Sequence, residues 1–141
     1  MSTNRIPADL RRQVLVRAGE SCEYCRIPEM AAFASHQVDH VIAEKHGGET
    51  VANNLAVSYM MSNVRKGSDI ASLDPDIGAV TPLFHPRLDH WINHFRLASG
   101  HIDGITPVGR TTARLLQFNH PDRVAERLLL LNAGVLQLPT Q

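Results

Sequence analysis

The stretch "NNLAVSYMMSNVRKG", residues 53–67, carries the local signals that decide the fold. The segment of residues 55–58 is short and mostly apolar, which predicts a strand. The segment "YMMSNVRK" that follows has helix-forming residues at helical spacing, and Gly67 is a typical helix end. We therefore expect a strand that passes directly into a short helix.

The segment upstream predicts another strand and a loop. Residues 36–42, "HQVDHVI", show partial alternation and β-branched side chains, as in a strand. Residues 43–50, "AEKHGGET", are expected to form a loop because they contain two adjacent glycines. Polar residues stand at the key points of this strand–loop–strand–helix order: Asp39, His40, Asn54 and Asn63.

The paired patterns "VDHVIAEKHGG" and "NNLAVSYMMSNVRKG" resemble the HNH endonuclease family. The resemblance covers residues 22–67 and implies an α+β fold with a ββα-metal core. Additional N- and C-terminal helices are expected to wrap this core. The whole chain, residues 1–141, is expected to form one HNH endonuclease domain in which residues 68–141 are a C-terminal extension.

The resemblance also implies metal-dependent hydrolysis of DNA, with RNA left open as a substrate. Such hydrolysis needs an activated water and neutralisation of the charge that develops on the phosphate. Histidine has an unperturbed pKa of about 6.5, so His40 is the expected general base. Asp39 and Asn63 offer oxygens that suit one Mg²⁺ or Mn²⁺ ion. By resemblance, Asn54 orients His40.

Contacts to the nucleic acid are expected around this centre, although the formal net charge of zero gives the chain no global positive field. The residues predicted to contact phosphates are Lys45, His46, Arg65 and Lys66. The downstream arginines Arg87, Arg110 and Arg114 are either a DNA-facing set or ordinary solvated charges, and the sequence does not separate the two.

A zinc site is the feature that the pattern lacks. The segment "CEYC" supplies Cys22 and Cys25, but the family's second cysteine pair is replaced by Tyr59 and Ser62. A closed structural zinc site needs four ligands, so we predict that no structural zinc is bound. The alternative is that histidines, such as His36 or His85, complete the site. A redox role for the pair is weaker, because it follows a helix rather than opening one.

The rest of the chain predicts mainly helices. They are expected at residues 7–18, at residues 87–95 with Leu88, Trp91, Ile92 and Phe95 on one side, from Thr106 towards Phe118, and after Pro121 with Val124, Leu128 and Leu131 inward. Residues 72–84 are expected to form an extended arm around a turn at residues 74–78. The histidines at 85, 90 and 94 are assigned to packing and surface roles rather than to a metal.

The composition is that of a globular protein, with 43% hydrophobic and 20% charged residues. No stretch approaches the roughly 20 apolar residues that a membrane span needs, and the N-terminus lacks a signal peptide. We expect a cytoplasmic protein without a membrane partner. The second functional hypothesis is a noncatalytic nucleic-acid-binding or accessory protein on the same fold, motivated by the eroded zinc site.

Overall fold

A computed structural model describes residues 6–32 and 35–139, which form a mixed α+β fold. The ends of the expected 1–141 domain therefore lie outside the described residues. The helices are α1 (Ala8–Arg17), α2 (Met60–Lys66), α3 (Trp91–His94), α4 (Pro107–Leu115) and α5 (Pro121–Asn132). The strands are β1 (Gln37–His40), β2 (Leu55–Ser58), β3 (Ala71–Leu73), β4 (Val80–Pro82), β5 (Phe95–Ala98) and β6 (His101–Gly104).

The strand–loop–strand–helix order predicted from the sequence is confirmed. Strands β1 and β2 pair antiparallel, with Asp39 opposite Ala56 and His40 opposite Leu55. Helix α2 follows β2 directly and packs against β1. The loop between the strands contains two 3₁₀ turns, Glu44–His46 and Ala52–Asn54.

Helix α1 covers the β1–β2 hairpin. Val14 is completely buried and packs with Val38, Leu55 and Val57 of the two strands. The helix begins after Pro7, whose fixed φ suits the start of a helix. The predicted N-terminal helix is thus present, one residue shorter at each end, and it supports the hairpin from outside.

The main core joins the turn around Cys22 and Cys25 to the C-terminal extension. Both cysteines are buried in the same apolar cluster as Trp91, Phe95 and Phe118. The indole N–H of Trp91 donates a 2.9 Å hydrogen bond to the carbonyl of Tyr24, inside the cysteine turn. The extension is therefore part of the core that holds the cysteine turn.

The helix predicted for residues 87–95 is wrong. Only Trp91–His94 is helical, and Phe95 begins a hairpin in which β5 pairs with β6. Leu88, expected on the buried side, is 77% exposed. The turn of this hairpin is Ser99-Gly100, and both residues have positive φ, as tight two-residue hairpin turns require. The Ser-Gly dipeptide is the signal that marked this hairpin in the sequence.

Other expectations for the extension are confirmed. Strands β3 and β4 form a hairpin around the predicted turn, where Asp74 accepts from the backbone of Asp76. Helix α4 starts at the predicted cap, with the Thr106 hydroxyl accepting a 3.0 Å hydrogen bond from the Gly109 N–H. None of the helices among the described residues has the length and apolar character needed to cross a membrane.

The inward face of α5 differs from the prediction in one respect. Leu128 is 40% exposed, and the fully buried side chain of this helix is Arg127. Val124 and Leu131 are half-buried. A helical pattern based on apolar residues does not predict that the guanidinium of Arg127 is buried.

Arg127 is surrounded by backbone carbonyl groups. Its Nε donates to the Gly100 carbonyl at 2.7 Å, and its Nη2 donates to the Phe118 carbonyl. Its Nη1 reaches the Cys25 carbonyl at 3.5 Å. Gly100 permits this approach, because a Cβ there would collide with the Val124 carbonyl of α5. One side chain thus ties together α5, the β5–β6 turn, the end of α4 and the cysteine turn.

We predict that Arg127→Gln lowers the free energy of unfolding by about 3 kcal/mol, because it leaves buried carbonyls without donors. Urea denaturation of the variant and the parent protein measures this difference. Arg114→Gln is the matched control, since Arg114 is exposed on α4. Equal stability of the two variants would contradict the clamping role of Arg127.

Candidate active site

Asp39 and His40 meet at the end of β1. Adjacent residues of an ideal strand point to opposite faces. The Asp39 carboxylate accepts a 2.8 Å hydrogen bond from the His40 backbone N–H and lies 3.5 Å from the His40 Nδ1. The local geometry therefore brings carboxylate and imidazole together despite their adjacency.

The two nitrogens of His40 have different surroundings. Nε2 forms a 2.8 Å hydrogen bond with the hydroxyl of Thr50. Nδ1 is buried and has no hydrogen-bond partner among the residues that the structure describes. When Nε2 carries the proton and donates it to Thr50, the lone pair of Nδ1 is available to accept a proton beside Asp39.

Thr50 is a site residue that the sequence analysis missed. It lies at the end of the glycine loop, and nothing in its local sequence distinguishes it from an ordinary loop threonine. Its importance arises from the fold, which returns the loop to the end of β1. Ten residues separate Thr50 from the histidine that it contacts.

Asn54 holds the loop rather than the imidazole. Its Oδ1 accepts from the Ile42 N–H at 2.9 Å. Its Nδ2 donates to the carbonyls of Ile42 and Glu49, both at 2.9 Å. The direct bond to His40 implied by the family resemblance is replaced by an indirect connection, in which Asn54 fixes both ends of the loop that carries Thr50.

Gly48 allows this loop to close. A Cβ at this position would overlap the Ile42 carbonyl and lie 2.7 Å from Nδ2 of Asn54. Because both neighbours belong to the hydrogen-bonded end of the loop, neither can move without breaking a bond. The second glycine of the "GG" pair is thus required for space at the site.

Asn63 lies on the same face of β1 as Asp39. Its Nδ2 contacts Oε1 of Gln37 at 3.4 Å, and residues 37 and 39 point to the same side of a strand. The structure therefore places an amide and a carboxylate on one side of β1, with the His40 ring against the carboxylate. Asp39 retains 33% of its side-chain exposure, whereas His40 retains 2%.

The residues predicted to contact nucleic acid divide into two groups. Lys45, His46 and Arg65 are exposed, and Nε2 of His46 bonds to the Ser68 carbonyl at 3.1 Å. Lys66 is buried and donates a 2.8 Å hydrogen bond to the Val41 carbonyl. Burial lowers the pKa of Lys66. The surface contact expected of Lys66 does not fit this position, because its ammonium anchors the end of β1.

The cysteine turn keeps a geometry that favours thiolate. Cys22 Sγ accepts from the N–H groups of Tyr24 and Cys25 at 3.4 and 3.3 Å. Burial alone would raise the pKa of Cys22, but the hydrogen bonds from Cys25 and the backbone lower it overall. Burial and the neighbouring Cys22 raise the pKa of Cys25. The two thiols therefore differ, with the pKa of Cys22 lowered and that of Cys25 raised.

The positions of the second cysteine pair are filled by other contacts. Ser62 hydrogen-bonds the thiol of Cys25. Tyr59 is buried and packs edge-on against His36, with Arg123 5.1 Å from the centre of its ring. His36 bonds through Nε2 to the Ile27 carbonyl at 2.7 Å. Within residues 6–32 and 35–139, no cluster of three His, Cys, Asp or Glu side chains is arranged to hold a metal.

Three of the histidine and arginine side chains of the extension have structural partners. Nδ1 of His85 accepts from the Arg87 N–H at 3.1 Å, and Nδ1 of His94 contacts the Thr106 hydroxyl at 2.6 Å. Arg110 forms a two-point contact with Asp74 at 3.1 and 2.7 Å. These contacts account for three of the side chains whose roles the sequence left open or assigned to packing.

Residues 22–69 match the family model described as HNH endonuclease. The chain contains an HNH domain. The match spans the cysteine turn, the β1–β2 hairpin, the glycine loop and α2, which are the elements that carry Asp39, His40 and Asn63. No curated protein and no solved structure matches the chain. The match indicates a nuclease-type domain over residues 22–69, and domains of this type act on nucleic acid.

We predict that the purified HNH protein contains no stoichiometric zinc, because Cys22 and Cys25 supply two ligands where a closed site needs four. Elemental analysis of extensively dialysed protein measures the zinc content. Cys22→Ser and Cys25→Ser are the companion variants. About one zinc per chain, lost together with stability in both variants, would show that other side chains complete the site.

We further predict that Gly48→Ala disrupts the site, because the added Cβ pushes the loop that carries Thr50 away from Ile42. The variant should lower the melting temperature and alter the NMR signals of the His40 ring. Glu49→Ala is the neighbouring control, since that side chain is exposed. A Gly48→Ala protein with the melting temperature and imidazole signals of Glu49→Ala would refute the close approach.

Proposed function

We propose that the HNH domain is a DNA endonuclease that hydrolyses phosphodiester bonds with one divalent ion. The observation that carries the proposal is the arrangement at the end of β1. There, Nδ1 of His40, which has no hydrogen-bond partner within the part of the chain that the structure describes, lies 3.5 Å from the Asp39 carboxylate. Helix α2 contacts the same strand through the amide side chain of Asn63. Base, carboxylate and amide are the groups that this hydrolysis requires.

The donors present fit Mg²⁺ or Mn²⁺. Asp39 and Asn63 would hold the ion through a carboxylate and an amide oxygen, leaving other positions for water and phosphate. When bound, the ion would neutralise charge on the phosphate and the leaving oxygen. Tight all-protein cages are not needed for such an ion, so two protein ligands suffice.

His40 would accept the proton of the attacking water through Nδ1. In the tautomer that carries the proton on Nε2, the Thr50 hydroxyl would accept this hydrogen at 2.8 Å and leave the lone pair on Nδ1. Lys45, His46 and Arg65, which are exposed near this centre in the chain, are the proposed contacts to the phosphates of the substrate. Asn54 contributes by holding the loop rather than by touching the reacting atoms.

One observation favours the second candidate, a noncatalytic nucleic-acid-binding or accessory protein. The His40 side chain is 2% exposed, so an attacking water must enter a nearly closed space to reach Nδ1. Hydrolysis consequently requires that binding of the substrate opens the region beside Asp39. A protein that binds nucleic acid without such opening would not cleave it.

Cleavage of supercoiled plasmid separates these candidates. We expect the His40→Ala variant to lose about 10²–10⁴-fold in rate, the contribution of a general base, while it retains DNA binding. His101→Ala, at an exposed histidine of the β5–β6 hairpin, is the control and should cleave normally. Cleavage by His40→Ala at the control rate would remove the proposed base, and no cleavage by the parent protein would favour the noncatalytic candidate.

Thr50 gives a second, structure-derived prediction. Thr50→Val removes the partner of Nε2 and should lower the cleavage rate about 10–100-fold, as loss of an orienting contact does. Thr50→Ser keeps the hydroxyl and should restore most of the rate. Equal rates for the valine and serine variants at equal folded fraction would show that the hydroxyl has no positioning role.

A further inference from the structure

A second cluster of positive charge lies outside the candidate active site. A pocket of about 610 Å³ opens between the end of α1, the cysteine turn and the segment that leads into α3. Three arginines line it: Arg17, Arg26 and Arg87. The role assigned to the HNH centre uses none of them.

Two of these three guanidinium groups have no carboxylate partner among the described residues. Arg17 donates to the carbonyls of Ala52 and Leu55 at 3.0 and 2.8 Å. Arg26 donates to the carbonyls of Cys22 and Gln137 at 3.2 and 3.5 Å. Carbonyl acceptors orient a guanidinium without neutralising its charge, and at Arg26 the neighbouring Cys22 and Cys25 offset part of that charge.

The carboxylates of the pocket are already engaged. Glu23 pairs with Arg87 and also accepts a 2.9 Å hydrogen bond from the Val57 N–H. Asp89 accepts from the His85 N–H at 2.9 Å. Glu23 is thus already paired with one of the three guanidinium groups and Asp89 with a backbone N–H, which leaves Arg17 without an ion-pair partner among the described residues.

The arginines also lie close enough for the charge of one to change the pKa of another. Burial, and after it the charge of Arg17, lowers the pKa of Arg87 to about 10. In addition, the Nε–H groups of Arg26 and Arg87 are buried without an acceptor within the described part of the chain. An anion between the arginines would relieve the repulsion and supply acceptors, and the planar guanidinium suits a phosphate.

The pocket is adjacent to the active-site loop. Asn53 lines it, and Thr50, which contacts His40, is three residues earlier in the chain. Three residues span at most about 11 Å. A strand with one phosphate at the end of β1 therefore has neighbouring phosphates within reach of the pocket.

We propose that this arginine pocket binds a backbone phosphate of the nucleic acid strand, away from the phosphate that is cleaved. The inference rests on the proposed function, because it requires a strand at the His40 site. The pocket would then position the strand without contacting the reacting atoms. Binding at this point is independent of base identity, as phosphate contacts are.

The first test measures affinity for labelled duplex and single-stranded oligonucleotides in the His40→Ala background, which leaves the DNA intact. Arg17→Gln should weaken binding and reduce the slope of log K against log salt by about 0.7–0.9, the value for one phosphate contact. Arg11→Gln, an exposed arginine of the same helix, is the matched control. Equal affinity and slope in the two variants, with the parent binding DNA, would overturn the pocket assignment and leave the nuclease proposal intact.

A second pair of variants controls for an effect on folding, because Arg17 also donates hydrogen bonds to the Ala52 and Leu55 carbonyls. Asn53→Asp adds a negative charge at an exposed position of the pocket and should weaken binding severalfold. Gln13→Glu makes the corresponding change at an exposed position of α1 outside the pocket and should have little effect. Equal affinities for these two variants would also argue against the pocket.

The only tryptophan of the chain, Trp91, lines the pocket and reports directly on its occupancy. Oligonucleotide should shift Trp91 fluorescence in the parent and in Arg11→Gln, and much less in Arg17→Gln. A shift with inorganic phosphate but none with oligonucleotide would identify a free-anion site and refute strand binding. Absence of oligonucleotide binding to the parent in every assay would refute both this inference and the proposed function.

Discussion

The buried guanidinium of Arg127 is the contact on which the arrangement of the chain depends. It donates to carbonyls from the cysteine turn, the β5–β6 turn and the end of α4. Trp91 adds a bond to the same cysteine turn. These donors come from the extension, so the turn that carries Cys22 and Cys25 is held by hydrogen bonds from the extension. A crosslink by metal is not needed to explain its position.

This support reaches the candidate active site through β2 and α2. The cysteine turn bonds to β2 through the Glu23 N–H and the Val57 carbonyl, and Ser62 of α2 bonds to Cys25. Helix α2 then presents Asn63 to the face of β1 that carries Asp39. On the other side of the site, Asn54 and Gly48 close the loop that brings Thr50 to His40. The groups proposed to be catalytic thus depend on two separate supports, one from the extension and one from the loop.

The sequence predicted the parts of this structure that depend on local signals. The β1–β2 hairpin, α2, the turn after Asp74 and the cap at Thr106 all follow from residue type and spacing. The interior position of Arg127 depends on carbonyls that only the folded chain brings together. Burial of Lys66 and the contact of Thr50 with His40 could not be predicted for the same reason, because each depends on contacts between segments that are distant in sequence. The β5–β6 hairpin was missed for another reason. The apolar residues around Trp91 have helical spacing, so a helix was predicted up to Phe95, and the Ser-Gly turn was not used to predict a hairpin.

The central proposal is that this HNH site hydrolyses phosphodiester bonds without a structural zinc, because protein contacts hold the cysteine turn. The most direct measurement is magnesium-dependent nicking of supercoiled plasmid by protein that has been treated with a strong zinc chelator and then dialysed. The account predicts that adding back Mg²⁺ alone restores nicking fully, and that the treatment leaves the melting temperature unchanged. Activity that returns only when zinc is added, together with a lowered melting temperature of the chelated protein, would contradict it.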